Sequence, residues 1–193
     1  MNLPNKLSVL RMILVPIFVV VMMIVPDPWG SIIGVALFII ASLTDMLDGK
    51  IARKYNLITD FGKFIDPLAD KFMVIGALLV ILYKYEAIRS LFIWAVIIVV
   101  FRELAVTSIR LVASSSSGVV IAANWLGKIK TCTQIACVCA VIIEPLIYGA
   151  LGLDKMLAYL PLTYLTTVLM IYFTLWSGIN YIVSYWKYLD PQK

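Results

Sequence analysis

Asp45, Asp48, Asp66 and Asp70 lie between two long apolar stretches, the first pair three residues apart and the second pair four apart. Those spacings put each pair on one face of a helix. A charged side chain inside a bilayer costs about 3 kcal/mol on insertion scales, so four together require compensation. Carboxylates this close also repel, and must take up protons or bind cations. The chain has 11 acidic residues and no histidine. A hard divalent metal held only by oxygen is therefore the economical answer, and facing helices can supply carboxylates to one or two such ions.

The full segment reads Asp45-x-x-Asp48-Gly49-x-x-Ala52-Arg53, eight residues, then Gly62-x-x-x-Asp66-x-x-x-Asp70. Gly49 and Ala52 lack bulk, which lets a flat or phosphorylated ligand approach the helix backbone. Arg53 stands one turn beyond Gly49 and can fork onto a phosphate that also touches the metal. Gly62 opens the next span, where a turn or a close helix contact needs it. Asp60 is read as a cap or a solvated loop charge. On residue chemistry alone two readings stay open: a catalytic metal site, or a proton relay or ion pathway.

The elements that must position this segment are membrane helices. The 193 residues are 63% hydrophobic and 14% charged, with a mean hydropathy of +1.01, which excludes a water-soluble domain. Apolar runs recur at Val9–Val25, Ser31–Leu47, Phe72–Tyr83, Leu91–Phe101, Ile129–Ile143 and Leu157–Leu175. With their flanks they approach the roughly 20 residues that a spanning helix needs. The expected fold is all-α: six transmembrane helices preceded by a short interfacial segment, Asn2–Arg11, in a single membrane domain over residues 1–193 without internal repeats. The first run contains Pro16 and has no small-residue cleavage site after it, so it is read as a mature span rather than a signal peptide.

Connections follow from local composition. Pro26, Pro28 and Gly30 mark one turn, Tyr55–Asp60 a second, Tyr83–Ser90 a third and Gly149–Asp154 a fourth. Ala113–Gly118, with four serines in a row, reads as a flexible loop. The short second turn predicts that spans two and three are antiparallel neighbours, bringing both aspartate pairs to one end. Trp176, Tyr181, Tyr185, Trp186 and Tyr188 are expected at a membrane interface. Cys132, Cys137 and Cys139 are read as small buried hydrophobes.

With six spans, one side carries Lys6, Arg11, Lys50, Arg53, Lys54, Lys63, Lys71, Arg102, Arg110, Lys128, Lys130, Lys187 and Lys193, and the other only Lys84, Arg89 and Lys155. The positive-inside tendency then places both termini, and the aspartates, at the cytoplasmic face.

The aspartate segment resembles the signature of the CDP-alcohol phosphatidyltransferases, matching every fixed position and the eight-residue gap. That resemblance implies six transmembrane helices, a homodimer, and displacement of CMP from a CDP-linked lipid by an alcohol. It further implies that Asp45, Asp48, Asp66 and Asp70 hold two divalent cations, Mg²⁺ or Mn²⁺, and that Asp70 is the general base. Gly49, Ala52 and Arg53 would contact the CMP portion of the CDP-lipid.

Further patches resemble the bacterial phosphatidylglycerophosphate synthase branch of that family. They are the opening Asn2-Leu3-Pro4-Asn5-Lys6-Leu7-Ser8-x-x-Arg11, then Phe101-Arg102-Glu103, Arg110, and Asn124-Trp125-Leu126-Gly127-Lys128-Ile129-Lys130-Thr131-x-Thr133-Gln134. Ser8 departs from the threonine expected there but keeps the hydroxyl, and the last span carries no matching motif. This branch implies CDP-diacylglycerol as donor and glycerol 3-phosphate as acceptor, in the bacterial cell membrane, with membrane lipid but no nucleic acid as partner. Phosphatidylglycerol (as in cardiolipin synthases), serine or an inositol phosphate are the alternative acceptors.

A dianionic acceptor needs fixed positive charge. Arg102 and Arg110, eight apart, lie roughly along one face of the fourth span, and Lys128 and Lys130 begin the fifth at the same level. These four residues are the candidate acceptor-phosphate ligands. The other reading makes them anchors to anionic lipid, with Arg102 pairing to Glu103. Lys54, Lys63 and Lys187 are read as lipid-facing anchors.

Overall fold

The structure is a computed structural model and describes residues 2–55, 59–117 and 125–186. Its helices are α1 (Leu3–Ile24), α2 (Trp29–Lys54), α3 (Asp60–Lys84), α4 (Arg89–Ser117), α5 (Trp125–Leu151), α6 (Asp154–Tyr159) and α7 (Pro161–Tyr185), with one 3₁₀ turn at Glu86–Ile88. No strand occurs among the described residues. Five stretches are long and apolar enough to cross a membrane: α1, Trp29–Leu47 of α2, Glu86–Val112, α5, and Asp154–Tyr185. At 25 residues α3 has the length, but its first half carries Asp60, Lys63, Asp66, Asp70 and Lys71. The fold is thus a helical membrane bundle of five to six spans.

Local chemistry sets the helix starts. The Asn2 side chain caps α1 by accepting from Asn5 N–H at 3.2 Å, and Pro4 sits in the first turn, where a missing N–H costs nothing. Thr59 caps α3 by accepting from Gly62 N–H at 3.0 Å. Pro16, Pro67 and Pro145 lie inside helices, as neighbouring spans in a bundle permit.

Three expectations are corrected. The N-terminal segment is not a separate interfacial element; capped and started at Asn2–Pro4, it forms the first turns of α1, and its Asn5, Ser8 and Arg11 are buried. The serine run is not a loop: α4 continues through Ser117, because extending an existing helix adds one hydrogen bond per residue and outweighs serine's modest helix preference. Spans two and three meet less than direct neighbours would: they touch only sparingly among the described residues, and α1 packs closely against both.

The helices form two groups. In one, α1 joins α2 and α3; in the other, α7 joins α4 and α5, while α3–α4, α2–α5 and α3–α5 contacts close the seam. A continuous apolar core runs through both, with Phe18, Phe38, Leu78, Ile81, Phe92, Val99, Val138, Ile142 and Met170 all buried. Large apolar side chains such as Ile13, Val20, Trp94, Leu165 and Val183 are exposed on the outside, as lipid as solvent requires.

At the end of the bundle away from the aspartates, Asp27 ties the α1–α2 turn to α3. It accepts from Ser31 N–H at 3.2 Å, Ser31 Oγ at 2.6 Å and Lys84 Nζ at 2.9 Å. Burial alone would raise its pKa, but Lys84 and Ser31 outweigh it and hold the carboxyl below the usual carboxylate range. A depressed carboxyl stabilises the fold above its unfolded pKa, and the contribution is lost as pH falls through the folded one.

A buried carboxylate also caps α7. Leu160, at φ 43°, starts that helix without a side-chain cap. Glu144 of α5, 2% exposed, accepts instead from the backbone N–H groups of Leu162 at 2.8 Å and Thr163 at 2.6 Å. Hydrogen bonds to a charged group contribute about 1.5–3 kcal/mol each. Glu144→Ala is therefore expected to destabilise the bundle by about 3 kcal/mol in a mixed-micelle unfolding titration, and Glu144→Gln by less, since the amide keeps one acceptor.

Candidate active site

Three polar residues on one face of α1 reach the two helices that carry the aspartates. Arg11, 0% exposed, pairs through Nη1 with Asp45 Oδ1 of α2. Ser8, also 0% exposed, donates from Oγ to Asp66 Oδ1 of α3 at 2.5 Å. Asn5 holds Thr59, the α3 cap, through Nδ2–Oγ1 and Oγ1–Oδ1 contacts of 3.0 and 3.1 Å. The Asn5 side chain sits so close to α3 that a Cβ on Gly62 would lie 2.9 Å from Asn5 Oδ1. That contact explains the glycine at the head of the second aspartate pair.

Asp70 lies one turn beyond Asp66, within electrostatic range of Asp45, Lys130, Glu103 and Arg11. Unlike Asp45 and Asp66, it accepts no hydrogen bond from a described residue. Gly49 is on α2, one turn past Asp45. Asp48, Ala52 and Arg53 share that helix by their backbone, but their side chains lie outside the described residues.

Among the described residues no three carboxylate, thiol or imidazole groups converge on one metal position. The donor set still fits a hard cation. It is all oxygen, and neither Asp66 nor Asp70 has an ion-pair partner among the described residues, while Arg11 and Lys130 are already paired to Asp45 and Glu103. Carboxylates without an ion-pair partner in an apolar bundle are what a divalent ion would neutralise.

Across the seam, Arg102 and Arg110 of α4 are both held by α7. Arg102 Nη2 donates to Ser177 Oγ and Arg110 Nη2 to Tyr181 Oη, each at 2.6 Å. The two guanidinium carbons lie 5.8 and 5.1 Å from the Tyr181 ring centroid, so one ring supports both cations. A Cβ on Gly178 would come within 3.1 Å of Arg102 Cγ, so the glycine lets the arginine pack tightly against α7.

Tyr181 is only 3% exposed; it serves the arginines and is not the interfacial aromatic expected from its place near the chain's end. Lys130 is buried and pairs with Glu103, whose other oxygen is 3.6 Å from Arg102 Nη1. Lys128 is exposed, its ammonium 5.9 Å from the Trp125 ring centroid, and is not drawn into this group.

Site and bundle together define a class. The sequence profile of the CDP-alcohol phosphatidyltransferase family matches residues 1–187, and the chain belongs to that family. It is 42% identical to a Bacillus subtilis (strain 168) protein named CDP-diacylglycerol–glycerol-3-phosphate 3-phosphatidyltransferase, over 97% of each chain. Proteins of the same name from Salmonella paratyphi A (32% identical, 94% of this chain and 93% of the relative) and Yersinia enterocolitica (30%, 99% of each) are also similar.

The Lys130–Glu103 pair lends itself to a direct measurement. Removing one partner of a buried ion pair leaves an uncompensated charge and costs about 3–5 kcal/mol. Lys130→Met and Glu103→Leu are each expected to destabilise the protein by about that much, and the double variant by much less than their sum. Unfolding titrations of the four proteins give the coupling directly.

Proposed function

We propose that the protein transfers a phosphatidyl group from CDP-diacylglycerol to glycerol 3-phosphate, releasing phosphatidylglycerophosphate and CMP. One observation carries this reading: an uncommitted carboxylate, Asp70, lies across a helix seam from a guanidinium pair, Arg102 and Arg110, held ready by α7. The relatives' shared name supports the choice of donor and acceptor. The excess of basic residues at this end supports a cytoplasmic location for the site in the bacterial cell membrane.

Asp45, Asp48, Asp66 and Asp70 would hold two divalent cations, Mg²⁺ or Mn²⁺, which when bound supply neutralisation of the pyrophosphate and of the charge that develops on departing CMP. Gly49 and Ala52 admit the nucleotide close to α2, and Arg53 binds its phosphate. Arg102 and Arg110 bind the dianionic phosphate of the acceptor, with the Glu103–Lys130 pair behind them. Asp70 accepts the proton of the acceptor's primary hydroxyl. That oxygen bonds to the lipid-side phosphorus as the bond to the CMP oxygen breaks. Diacyl tails remain in lipid along the apolar exterior, so only the head group enters the polar end of the bundle.

Two kinetic outcomes follow, read as CMP release by purified protein in vesicles. Asp70→Asn is expected to fold normally and lower kcat by about 10³-fold, within the range for loss of a general base; near-normal turnover would remove Asp70 from that role. Arg110→Gln is expected to raise KM for glycerol 3-phosphate by about tenfold or more while leaving KM for the CDP-lipid nearly unchanged. Equal effects on both substrates would instead assign Arg110 to structure or lipid anchoring. Acceptors offered singly in the same assay test the choice of glycerol 3-phosphate.

A further inference from the structure

We propose that α1 is the positioning element of the carboxylate cluster, with Ser8 orienting Asp66 and Arg11 orienting Asp45. The inference rests on the reading that these aspartates hold divalent cations, and it assigns the task to residues of a helix that carries no carboxylate of its own. Since α2 and α3 touch only sparingly and α1 packs closely on both, the separation of Asp45 from Asp66 and Asp70 is set through α1 rather than by direct packing.

The contacts are made for that task. Asn5, Ser8 and Arg11 follow one another at three-residue intervals and are 6%, 0% and 0% exposed, although α1 is otherwise apolar apart from Lys6. A serine inside a helix ordinarily bonds the carbonyl one turn back. Ser8 has that option, with Pro4 O at 3.1 Å, yet Asp66 Oδ1 is closer at 2.5 Å. A hydroxyl has a single proton to donate. Given to Asp66 Oδ1, it fixes the carboxylate's rotation and leaves Oδ2 for another partner. Arg11 pairs with Asp45 Oδ1 from the next turn of α1 and so holds that carboxylate's direction. Asn5 fixes where α3 begins, and so the height of Asp66 and Asp70 along the bundle.

The test measures cation binding directly. Full-length protein in lipid nanodiscs is titrated with Mn²⁺, and the free ion is followed by electron paramagnetic resonance. Loss of an outer partner of a metal ligand commonly weakens binding 10–100-fold, so Ser8→Ala is expected to raise the Mn²⁺ Kd about tenfold or more, and Ser8→Thr to restore it to within about twofold. Thermal unfolding of each variant verifies that it is folded. If Ser8→Ala is folded and binds Mn²⁺ as tightly as the unaltered protein, Ser8 is only packing between helices and the proposal is overturned. Asp66→Asn separates the two levels: if it too leaves Mn²⁺ binding intact, the cation reading of the aspartates fails, and the positioning role fails with it.

Discussion

A carboxylate can remain in an apolar bundle only if a donor or a cation compensates it locally, and this constraint organises both ends of the molecule. Asp45 has Arg11, Asp66 has the Ser8 hydroxyl, Glu103 has Lys130 and Arg102, and Glu144 has two backbone N–H groups. Each partner comes from a different helix than the acid it serves, except Arg102, which neighbours Glu103 in sequence. Charge compensation and helix assembly are therefore the same event. The apolar core holds the middle of the bundle together but is non-directional; the polar contacts specify which helix faces which. Asp70 stands outside this scheme, with no hydrogen bond from the described residues. A group left uncompensated where its described neighbours each have a partner is where chemistry is to be sought.

The bundle's division into α1–α3 and α4, α5, α7 gives that chemistry its layout. The oxygen donors belong to the first group and the guanidinium pair to the second, and Asp70 and Lys130 sense one another across the seam. In the proposed reaction this separates the nucleotide-lipid from the phosphorylated acceptor until both reach Asp70. Two highly charged substrates can thus be bound without placing their phosphates against the same cations.

Much of this was legible in the sequence because it depends on local patterns. Hydropathy revealed the membrane helices, and the three- and four-residue aspartate spacings revealed shared helix faces. The eight-residue interval located the turn between the pairs. What remained hidden was non-local. Asn5, Ser8 and Arg11 near a terminus look like a solvated or interfacial segment, since polar residues there usually meet water; that they turn inward depends on carboxylates more than 30 positions away. The short turn between α2 and α3 suggested close direct packing, but a connection's length says nothing about a third helix that packs on both. Ser177, Gly178 and Tyr181 carry no periodic signal, and an aromatic near a span's end reads as an interface residue by default. Only the two arginines of α4, more than 70 positions earlier, give them their purpose.

The same reasoning explains why arginine rather than lysine occupies three of the paired basic positions. Arg11 is buried, Arg102 is half-buried, and Arg110 is exposed but lies against the ring that it shares with Arg102. A guanidinium keeps its charge in an apolar setting, stacks on an aromatic face and still offers further N–H donors. Arg102 can therefore touch Ser177, Glu103 and the Tyr181 ring together, which a single ammonium cannot match. Lys130 is the exception that follows from its partner: Glu103 meets it head on, so a point charge suffices. Exchanging the two types would conserve net charge and still dismantle the site, because its order comes from the directions of the donors and not from their number.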